Sequence, residues 1–271
     1  MSTKYNVGMI GYGLSAKVFH VPYLQVNPQF AIRAIVSRSG NEEVQKDHPE
    51  ATVYHSAVDL FKDKGIDVVI VATPPHTHYE LATQALEAGK HVIVEKPFAP
   101  TVAECNQLIE LAKEKRLILT VYQNRRWDAD FITLQRILAE GSVGRVVEFE
   151  SHFDRYAPIS NSTDDQPVLP GTGVVFDLGT HLIDQATVIF GSPDRVSAFL
   201  AAQQEGNHDG PRDACTVLLH YDHGLMVIIK ASSVSSDSEQ LRFWVRGSLG
   251  SYKVSSTPAS NNPSTSLDRL S

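Results

Sequence analysis

The sequence predicts an α/β protein in two domains: a parallel sheet flanked by helices, then an α+β domain with a mainly antiparallel open sheet. Over residues 5–122 short apolar runs alternate with helical patterns. This alternation is typical of a parallel sheet covered by helices on both faces. After Asp128 strand patterns follow one another across short turns, which favours antiparallel pairing. The pattern therefore indicates a first domain over residues 1–124 and a second over residues 125–254.

The first domain contains five runs rich in apolar and β-branched residues, and helical patterns separate most of them. The predicted strands cover residues 5–10, 30–36, 66–72, 91–94 and 117–122. The predicted helices run from a glycine-rich turn to about Asn27, and over residues 44–48, 77–89 and 101–116. Thr101 and Glu104 have the spacing of a capping box, which fixes the start of the last helix.

The second domain combines two helical patterns with a series of strands. The predicted helices cover residues 128–141 and 173–191, and the predicted strands cover residues 144–156, 196–203, 214–222, 224–233 and 241–247. Residues 255–271 are rich in Ser, Pro and Asn and have almost nothing apolar to bury. We therefore expect a disordered tail over residues 255–271.

Composition excludes several classes of function. The net charge is −7 with neutral histidines, which opposes nonspecific binding to nucleic acid. No apolar run approaches the ~20 residues that span a bilayer. The spacing of the two cysteines, Cys105 and Cys215, fits neither a metal site nor a disulfide framework. We expect a cytoplasmic protein with no nucleic-acid partner, no membrane partner and no metal.

A Gly-x-Gly-x-x-Ala pattern follows the first strand directly. Gly11 permits a tight turn, Gly13 lets the backbone approach a pyrophosphate, and Ala16 lets helix and strand pack closely. The alternative is a merely structural turn, but the position at the head of a βαβ series favours a Rossmann dinucleotide-binding domain. The predicted contacts include Leu14 and Ser15 in the same loop.

The end of the second strand bears on the choice of dinucleotide. NAD-binding units place a carboxylate there for the ribose hydroxyls, whereas this strand ends on Ser37, Arg38 and Ser39. An arginine suits a 2′-phosphate, so NADP(H) is preferred and NAD(H) remains possible. The alternative is that Arg38 projects into solvent.

Two further groups of charged residues stand out. The run "HVIVEKPF" places Glu95 and Lys96 directly after a buried strand, so these charges must pair, face a cleft or meet a ligand. Asp177 and His181 are four residues apart on one face of a predicted helix. That pair is consistent with catalysis, with a carboxylate at a helix N-terminus, or with two ligands of a metal site. Asp184 is interpreted as a structural acid.

The glycine loop, "ATPPHTHYELATQALEAGKHVIVEKP" and "GTGVVFDLGTHLIDQ" together resemble the glucose–fructose oxidoreductase / inositol dehydrogenase / rhizopine-catabolism family (Gfo/Idh/MocA) over about residues 4–254. The resemblance implies an NADP(H)-dependent oxidoreductase that moves a hydride between nicotinamide and a secondary alcohol or ketone of a sugar-like or cyclic hydroxy compound. It also implies a homodimer that forms through the second-domain sheet.

The resemblance assigns roles to individual residues. It implies that Lys96, Asp177 and His181 are catalytic, although some family members have a tyrosine in place of this histidine. The peptide before the proline of the Glu-Lys-Pro motif is often cis in the family. Arg155 ends the strand predicted over residues 144–156, where it either lines the substrate pocket with the three catalytic residues or lies exposed at the rim. The further cofactor contacts that the resemblance implies are Thr73, Pro74, His78, Glu95, Lys96, Asn124 and Trp127. His78 is equally consistent with a helix N-terminal residue that binds no ligand.

Two alternatives remain at this stage. One is a cofactor-binding sensor or regulatory protein of the same family that lacks catalytic turnover. The other concerns length: members of the family are usually longer, and the pattern ends near Ser255. The resemblance therefore also implies a C-terminally shortened chain with an incomplete second domain.

Overall fold

The computed structural model describes residues 4–37, 41–156, 168–206 and 210–256. The chain divides into two compact units, Met1–Gln123 and Asn124–Ser271. The division falls one residue before the predicted end of the first domain. Within the described segments, every helix is too short or too polar to cross a lipid bilayer.

The first unit alternates strands and helices in the predicted order. Its strands are β1 (Tyr5–Ile10), β2 (Phe30–Val36), β3 (Thr52–Tyr54), β4 (Val68–Val71), β5 (His91–Glu95) and β6 (Leu119–Tyr122). Its α-helices are α1 (Val21–Val26), α2 (Asn41–Asp47), α3 (Ala57–Lys62), α4 (His78–Glu87) and α5 (Val102–Lys115). The predicted capping box starts α5, since the Thr101 side chain accepts a hydrogen bond from the backbone N–H of Glu104.

All six strands of the first unit are parallel, in the order β3-β2-β1-β4-β5-β6. The prediction of a parallel sheet is confirmed. Every residue of β4 is buried, as expected for a central strand that is covered on both faces. The strand order reverses between β1 and β4, and open α/β sheets bind ligands at the carboxyl ends of the strands beside such a reversal.

The sequence patterns missed two short elements and one irregularity in the first unit. β3 has three residues and α3 has six, which is too short for a periodic signal. The helix predicted after the glycine loop begins with a π-helical turn, Ala16–His20, and continues as α1. The helix predicted over residues 44–48 begins earlier, at Asn41.

The second unit contains a mixed sheet with helices on its inner face. Its α-helices are α6 (Ala129–Ala139) and α7 (Thr180–Phe190). Its strands are β7 (Val146–Asp154), β8 (Arg195–Ala201), β9 (Ala214–His220), β10 (Met226–Ser232), β11 (Gln240–Gly247) and β12 (Ser251–Ser256). The strand order is β12-β11-β7-β10-β9-β8, and β7 with β10 is the one parallel pair among them. The mainly antiparallel sheet is confirmed.

The predicted start of the tail needs a correction. Ser255 and Ser256 belong to β12, where they pair with Leu241 and Gln240 of β11. Composition had suggested a tail because serine buries little, but the paired backbone of an edge strand does not depend on apolar side chains. Residues 257–271, which make up the rest of the predicted tail, lie outside the described residues.

Candidate functional site

The glycine loop follows β1 and lies against the end of β4. The Gly11 amide donates to the Val36 carbonyl at 3.1 Å, and the Ala72 amide donates to the Ile10 carbonyl at 2.9 Å. Gly11 has φ +94°, and a Cβ at this position would lie 2.4 Å from the Ala72 carbonyl oxygen. Only glycine fits a turn with this conformation and this approach of two backbone segments.

Gly13 has open space where a side chain would lie. A Cβ at Gly13 would meet no protein atom within 4 Å, so the chain alone has room for a side chain there. The residue borders a cavity of about 620 Å³, which is within the range of small-molecule sites. A dinucleotide pyrophosphate that approaches the Gly13 backbone would need the space that a Cβ fills. The loop therefore fits the cofactor that its sequence predicts.

Five of the predicted cofactor contacts line this one cavity: Gly11, Gly13, Ser37, Thr73 and Pro74. The loop after β4 is held by its own hydroxyl groups. Thr77 Oγ1 donates to the Pro74 carbonyl at 2.7 Å and accepts from Thr73 Oγ1 at 2.6 Å. The cavity wall formed by this loop is thus shaped before any ligand binds.

Arg38 and Ser39, on which the NADP(H) prediction depends, lie outside the described residues.

Tyr12, between the two glycines, also lines the cavity and was not predicted. Its hydroxyl lies 3.0 Å from Asp47 Oδ2, and the Lys17 ammonium lies 5.0 Å from its ring centroid. Lys17 pairs in turn with Glu43, which lines the same cavity. Burial and the Asp47 carboxylate raise the pKa of Tyr12, so the hydroxyl stays protonated and donates. The middle position of Gly-x-Gly accepts many residue types, so the motif gave no signal.

Three predicted contacts in the loop do not line the cavity. The Leu14 side chain is exposed, and Ala16 is fully buried against the sheet. Its burial agrees with the predicted role in close packing of helix and strand. The Ser15 hydroxyl donates to Glu95 Oε1, so it serves the end of β5. The cofactor contacts predicted for these three residues stay predictions.

Glu95 is held inside the first unit and does not face the cavity. Its carboxylate accepts from Ser15 and lies 2.8 Å from His20 Nε2, and the Lys96 amide donates to its second oxygen at 3.2 Å. Burial alone would raise the pKa of Glu95, but the hydrogen bonds from His20 and Ser15 outweigh it and lower that pKa. Glu95 is 8% exposed and acts as a structural anchor, while the cofactor contact predicted for it stays a prediction.

Tyr122 completes this anchor from the neighbouring strand. Its ring stacks on His20 with centroids 4.0 Å apart, and its hydroxyl donates to the Phe19 carbonyl. Burial, with the nearby Tyr23 hydroxyl and Glu95 carboxylate, raises the pKa of Tyr122 to about 12. The hydroxyl therefore remains a donor at neutral pH, and it ties β6 to the π-helical turn.

Lys96 follows the anchor, half-buried at the carboxyl end of β5, and the Lys96–Pro97 peptide is cis. His78 lies beneath this turn and is fully buried. Its Nδ1 is 2.8 Å from the Pro97 carbonyl oxygen and its Nε2 is 2.8 Å from the Thr73 carbonyl oxygen. Both ring nitrogens contact backbone, and His78 is the first residue of α4, which favours the alternative of a helix N-terminal residue that binds no ligand.

The second unit brings together three of the predicted substrate-site residues. Asp177 lies in a π-helical turn, Val175–Gly179, and α7 continues from it with His181 in its first turn. Arg155 Nη2 donates to Asp177 Oδ2 at 2.7 Å. The His181 side chain is almost fully buried. A guanidinium, a carboxylate and an imidazole can orient hydroxyl groups and exchange a proton with one of them.

The segment that opens the second unit is a 3₁₀ turn, Asn124–Trp127. Gln185 Nε2 donates to the Arg125 carbonyl at 2.8 Å, and Arg126 donates to both carboxylate oxygens of Asp184. The structural role that we predicted for Asp184 is consistent with this contact. Trp127 is 77% exposed and Asn124 is half-buried, so both side chains could reach a ligand.

Arg242 of β11 holds together three other elements of the second unit, α6, β7 and α7. It donates to Asp130 at 2.9 Å, to Ser151 Oγ at 3.1 Å and to Gln185 Oε1 at 2.8 Å. Its guanidinium carbon lies 3.9 Å from the centroid of the Phe243 ring. Arg242 therefore connects α6, β7 and α7 through one buried cation. Sequence analysis missed it, since one arginine in a strand carries no distinctive pattern.

Comparison with known proteins agrees with this geometry. A family model described as an oxidoreductase family with an NAD-binding Rossmann fold matches residues 5–123. The model of the GFO/IDH/MocA C-terminal domain matches residues 131–253. The fold and the glycine loop define a nicotinamide-dinucleotide oxidoreductase. The chain belongs to the Gfo/Idh/MocA family, and the resemblance drawn from its motifs is confirmed.

Individual relatives support the same assignment. An uncharacterized oxidoreductase of Schizosaccharomyces pombe is 42% identical over 255 residues, which is 90% of this chain and 69% of that protein. The scyllo-inositol 2-dehydrogenase (NADP(+)) IolW of Bacillus subtilis is 41% identical over 199 residues, which is 73% of this chain and 55% of that protein. A solved oxidoreductase structure, YvaA of Bacillus subtilis, superimposes with a TM-score of 0.86 at 36% identity and covers 93% of this chain and 70% of that chain.

The two glycines of the loop should respond differently to the same substitution. We expect Gly13→Ala to leave the melting temperature of the cofactor-free protein unchanged and to weaken dinucleotide binding by about tenfold or more, because the methyl group meets only the ligand. Gly11→Ala should lower the melting temperature without any ligand, because it clashes with Ala72. Thermal melts with fluorescence titration of NADPH measure both effects. A Gly13→Ala protein that binds NADPH like the wild type would contradict the assignment of the loop.

Proposed function

We propose that the protein is an NADP(H)-dependent oxidoreductase that moves a hydride between nicotinamide and a secondary alcohol or ketone of a sugar-like or cyclic hydroxy compound. The observation that carries the proposal is the open backbone at Gly13 on a cavity beside the reversal of strand order. Names of relatives support the substrate class: scyllo-inositol 2-dehydrogenase at 41% identity and levoglucosan dehydrogenase at 30%.

Each proposed catalytic residue has a distinct task. The bound nicotinamide would accept or supply the hydride. The Lys96 ammonium hydrogen-bonds the reacting oxygen and stabilises the negative charge that develops on it. His181 takes the hydroxyl proton during oxidation and returns it during reduction. Asp177 and Arg155 hold the other hydroxyl groups, the carboxylate as acceptor and the guanidinium as donor.

The preference for NADP(H) rests on the end of β2. Ser37 lines the cavity, and Arg38 follows it in the sequence, where a carboxylate would favour NAD(H). A relative whose name specifies NADP(+) supports the same choice.

We also propose that the protein is cytoplasmic. Both cysteines are free thiols, as is usual in a reducing compartment, and this supports the proposal.

We also propose a homodimer that forms through the outer face of the second-unit sheet. The residues of β7 alternate between core and outer face: Phe149 packs in the core, while Glu150 on the other face pairs with Lys230. By strand register Phe199 and Met226 lie on this outer face, and both are exposed. An outer face of paired charges with exposed apolar side chains suits contact with a second copy.

The catalytic proposal is tested by substitutions that each remove one group with a proposed role in the reaction. Lys96→Met should lower turnover by ~10²–10³, the usual loss of one preorganised electrostatic contact, with little change in NADPH affinity. His181→Asn should slow turnover and remove one limb of its pH profile. Single-turnover hydride transfer at saturating NADPH, with ketoses and diketones as substrates, measures both. A wild type that holds NADPH in a tight complex without turnover would indicate a sensor instead.

The choice of cofactor has its own test. Arg38→Ala should weaken NADPH by about ten- to a hundredfold and NADH far less, because only NADPH carries the 2′-phosphate. Lys113→Ala removes an exposed charge from α5 and serves as the control. Dissociation constants for both dinucleotides, measured by fluorescence titration, decide the matter. Equal losses for the two cofactors, or a wild type that prefers NADH, would refute the preference.

The dimer proposal predicts an effect of one charge on association. Phe199→Glu should weaken the dimer by about tenfold or more, because it places a carboxylate in an apolar contact. Leu249→Glu changes a residue that is also exposed but lies in a turn between β11 and β12, and should leave association unchanged. Sedimentation equilibrium of the three proteins provides the constants. A monomeric wild type at micromolar concentration would refute the dimer.

A further inference from the structure

His78 lies where two loops of the first unit meet. It is the first residue of α4, and no part of its side chain is exposed. One ring nitrogen faces the carbonyl oxygen of Thr73, in the loop after β4, and the other faces the carbonyl oxygen of Pro97, in the turn after β5. Both distances are 2.8 Å, which is the length of a good hydrogen bond. The ring therefore bridges the ends of two adjacent strands.

The chemistry of these partners constrains the ring. A backbone carbonyl oxygen can only accept a hydrogen bond, so each ring nitrogen must donate. A neutral imidazole carries one N–H, and its other nitrogen would point a lone pair at an oxygen 2.8 Å away. From this geometry we infer that His78 is a buried imidazolium that clamps the Thr73 loop to the Lys96–Pro97 turn. It is a positioning residue, since its two ring nitrogens are both directed at backbone.

Two effects oppose the charge and two favour it. Burial disfavours an ion, and a cation at the first residue of a helix opposes the helix dipole. In return, both hydrogen bonds are charge-assisted, which makes each about twice as strong as a neutral one. Glu80 also lies in the first turn of α4 and offsets the dipole. Neutralising the ring would break one bridge and leave a buried carbonyl without its donor, which is costly.

The clamp joins the two parts of the site that must cooperate. Thr73 forms part of the cavity wall, and Pro97 follows the residue that we propose as catalytic. The ring therefore fixes the position of Lys96 relative to the cofactor-binding loop, and this role rests on the proposed function. Loss of the clamp should thus affect chemistry more than binding, because a small displacement of a reacting group is enough to slow a reaction.

The protonation state can be measured without any turnover. The protein is labelled with ¹⁵N-histidine, and His78 is assigned as the signal that disappears in His78→Gln. We expect both ring nitrogens of His78 to show the chemical shifts of protonated nitrogens at pH 7. A neutral pattern, with one protonated and one unprotonated nitrogen, would overturn the inference. If His78→Gln does not fold, His78→Phe keeps the ring volume and provides the same assignment.

The positioning role is separated from simple folding by kinetics. With His78→Gln we expect kcat to fall by about ten- to a hundredfold while the dissociation constant of NADPH rises only a few-fold. His223→Asn is the control, because His223 is an exposed turn residue with φ +62°, a conformation that asparagine tolerates. Unchanged kcat in His78→Gln would overturn the clamp. If the wild type shows no turnover with any substrate, the proposed function fails, and the ring shifts and NADPH affinities still decide the state of His78.

Discussion

The end of β5 depends on one buried carboxylate. Glu95 is a charge inside the first unit, and it persists there because three donors converge on it: Ser15 and His20 from the segment after the glycine loop, and the amide of the next residue. Removing one donor from such a group costs more than the bond itself, since the charge remains buried. Ser15, His20 and Glu95 therefore form one hydrogen-bonded cluster. This cluster ties the helix after the glycine loop to the turn that presents Lys96.

The second unit uses a buried charge of the opposite sign for the same purpose. Arg242 holds α6, β7 and α7 in one arrangement, and Gln185 extends that arrangement to the Arg125 carbonyl. The helix that carries Asp177 and His181 is thereby fixed to the segment that opens the unit. In both units a charged group whose partners lie on several elements sets the geometry of the proposed site. Apolar packing alone would allow these elements to slide.

The sequence was sufficient for the fold and for the residues of the motifs, but not for their partners. The alternating pattern predicts the parallel sheet because buried central strands and amphipathic helices have distinct periods. Glu95 was recognised as a charge after a buried strand, whereas its partners Ser15 and His20 lie 80 and 75 residues away. No local pattern encodes such contacts. The same reason explains why the sequence left two roles open for His78 and did not reveal its contact with the Pro97 carbonyl.

Both π-helical turns stand beside a proposed ligand contact, one after the glycine loop and one around Asp177. A π turn accommodates one residue more than an α turn, and such turns often occur at functional sites. Deleting that residue would turn the π turn into a regular α turn and would remove the local bulge of backbone beside the glycine loop or around Asp177. At these two places the number of residues matters to the protein as much as their chemical type.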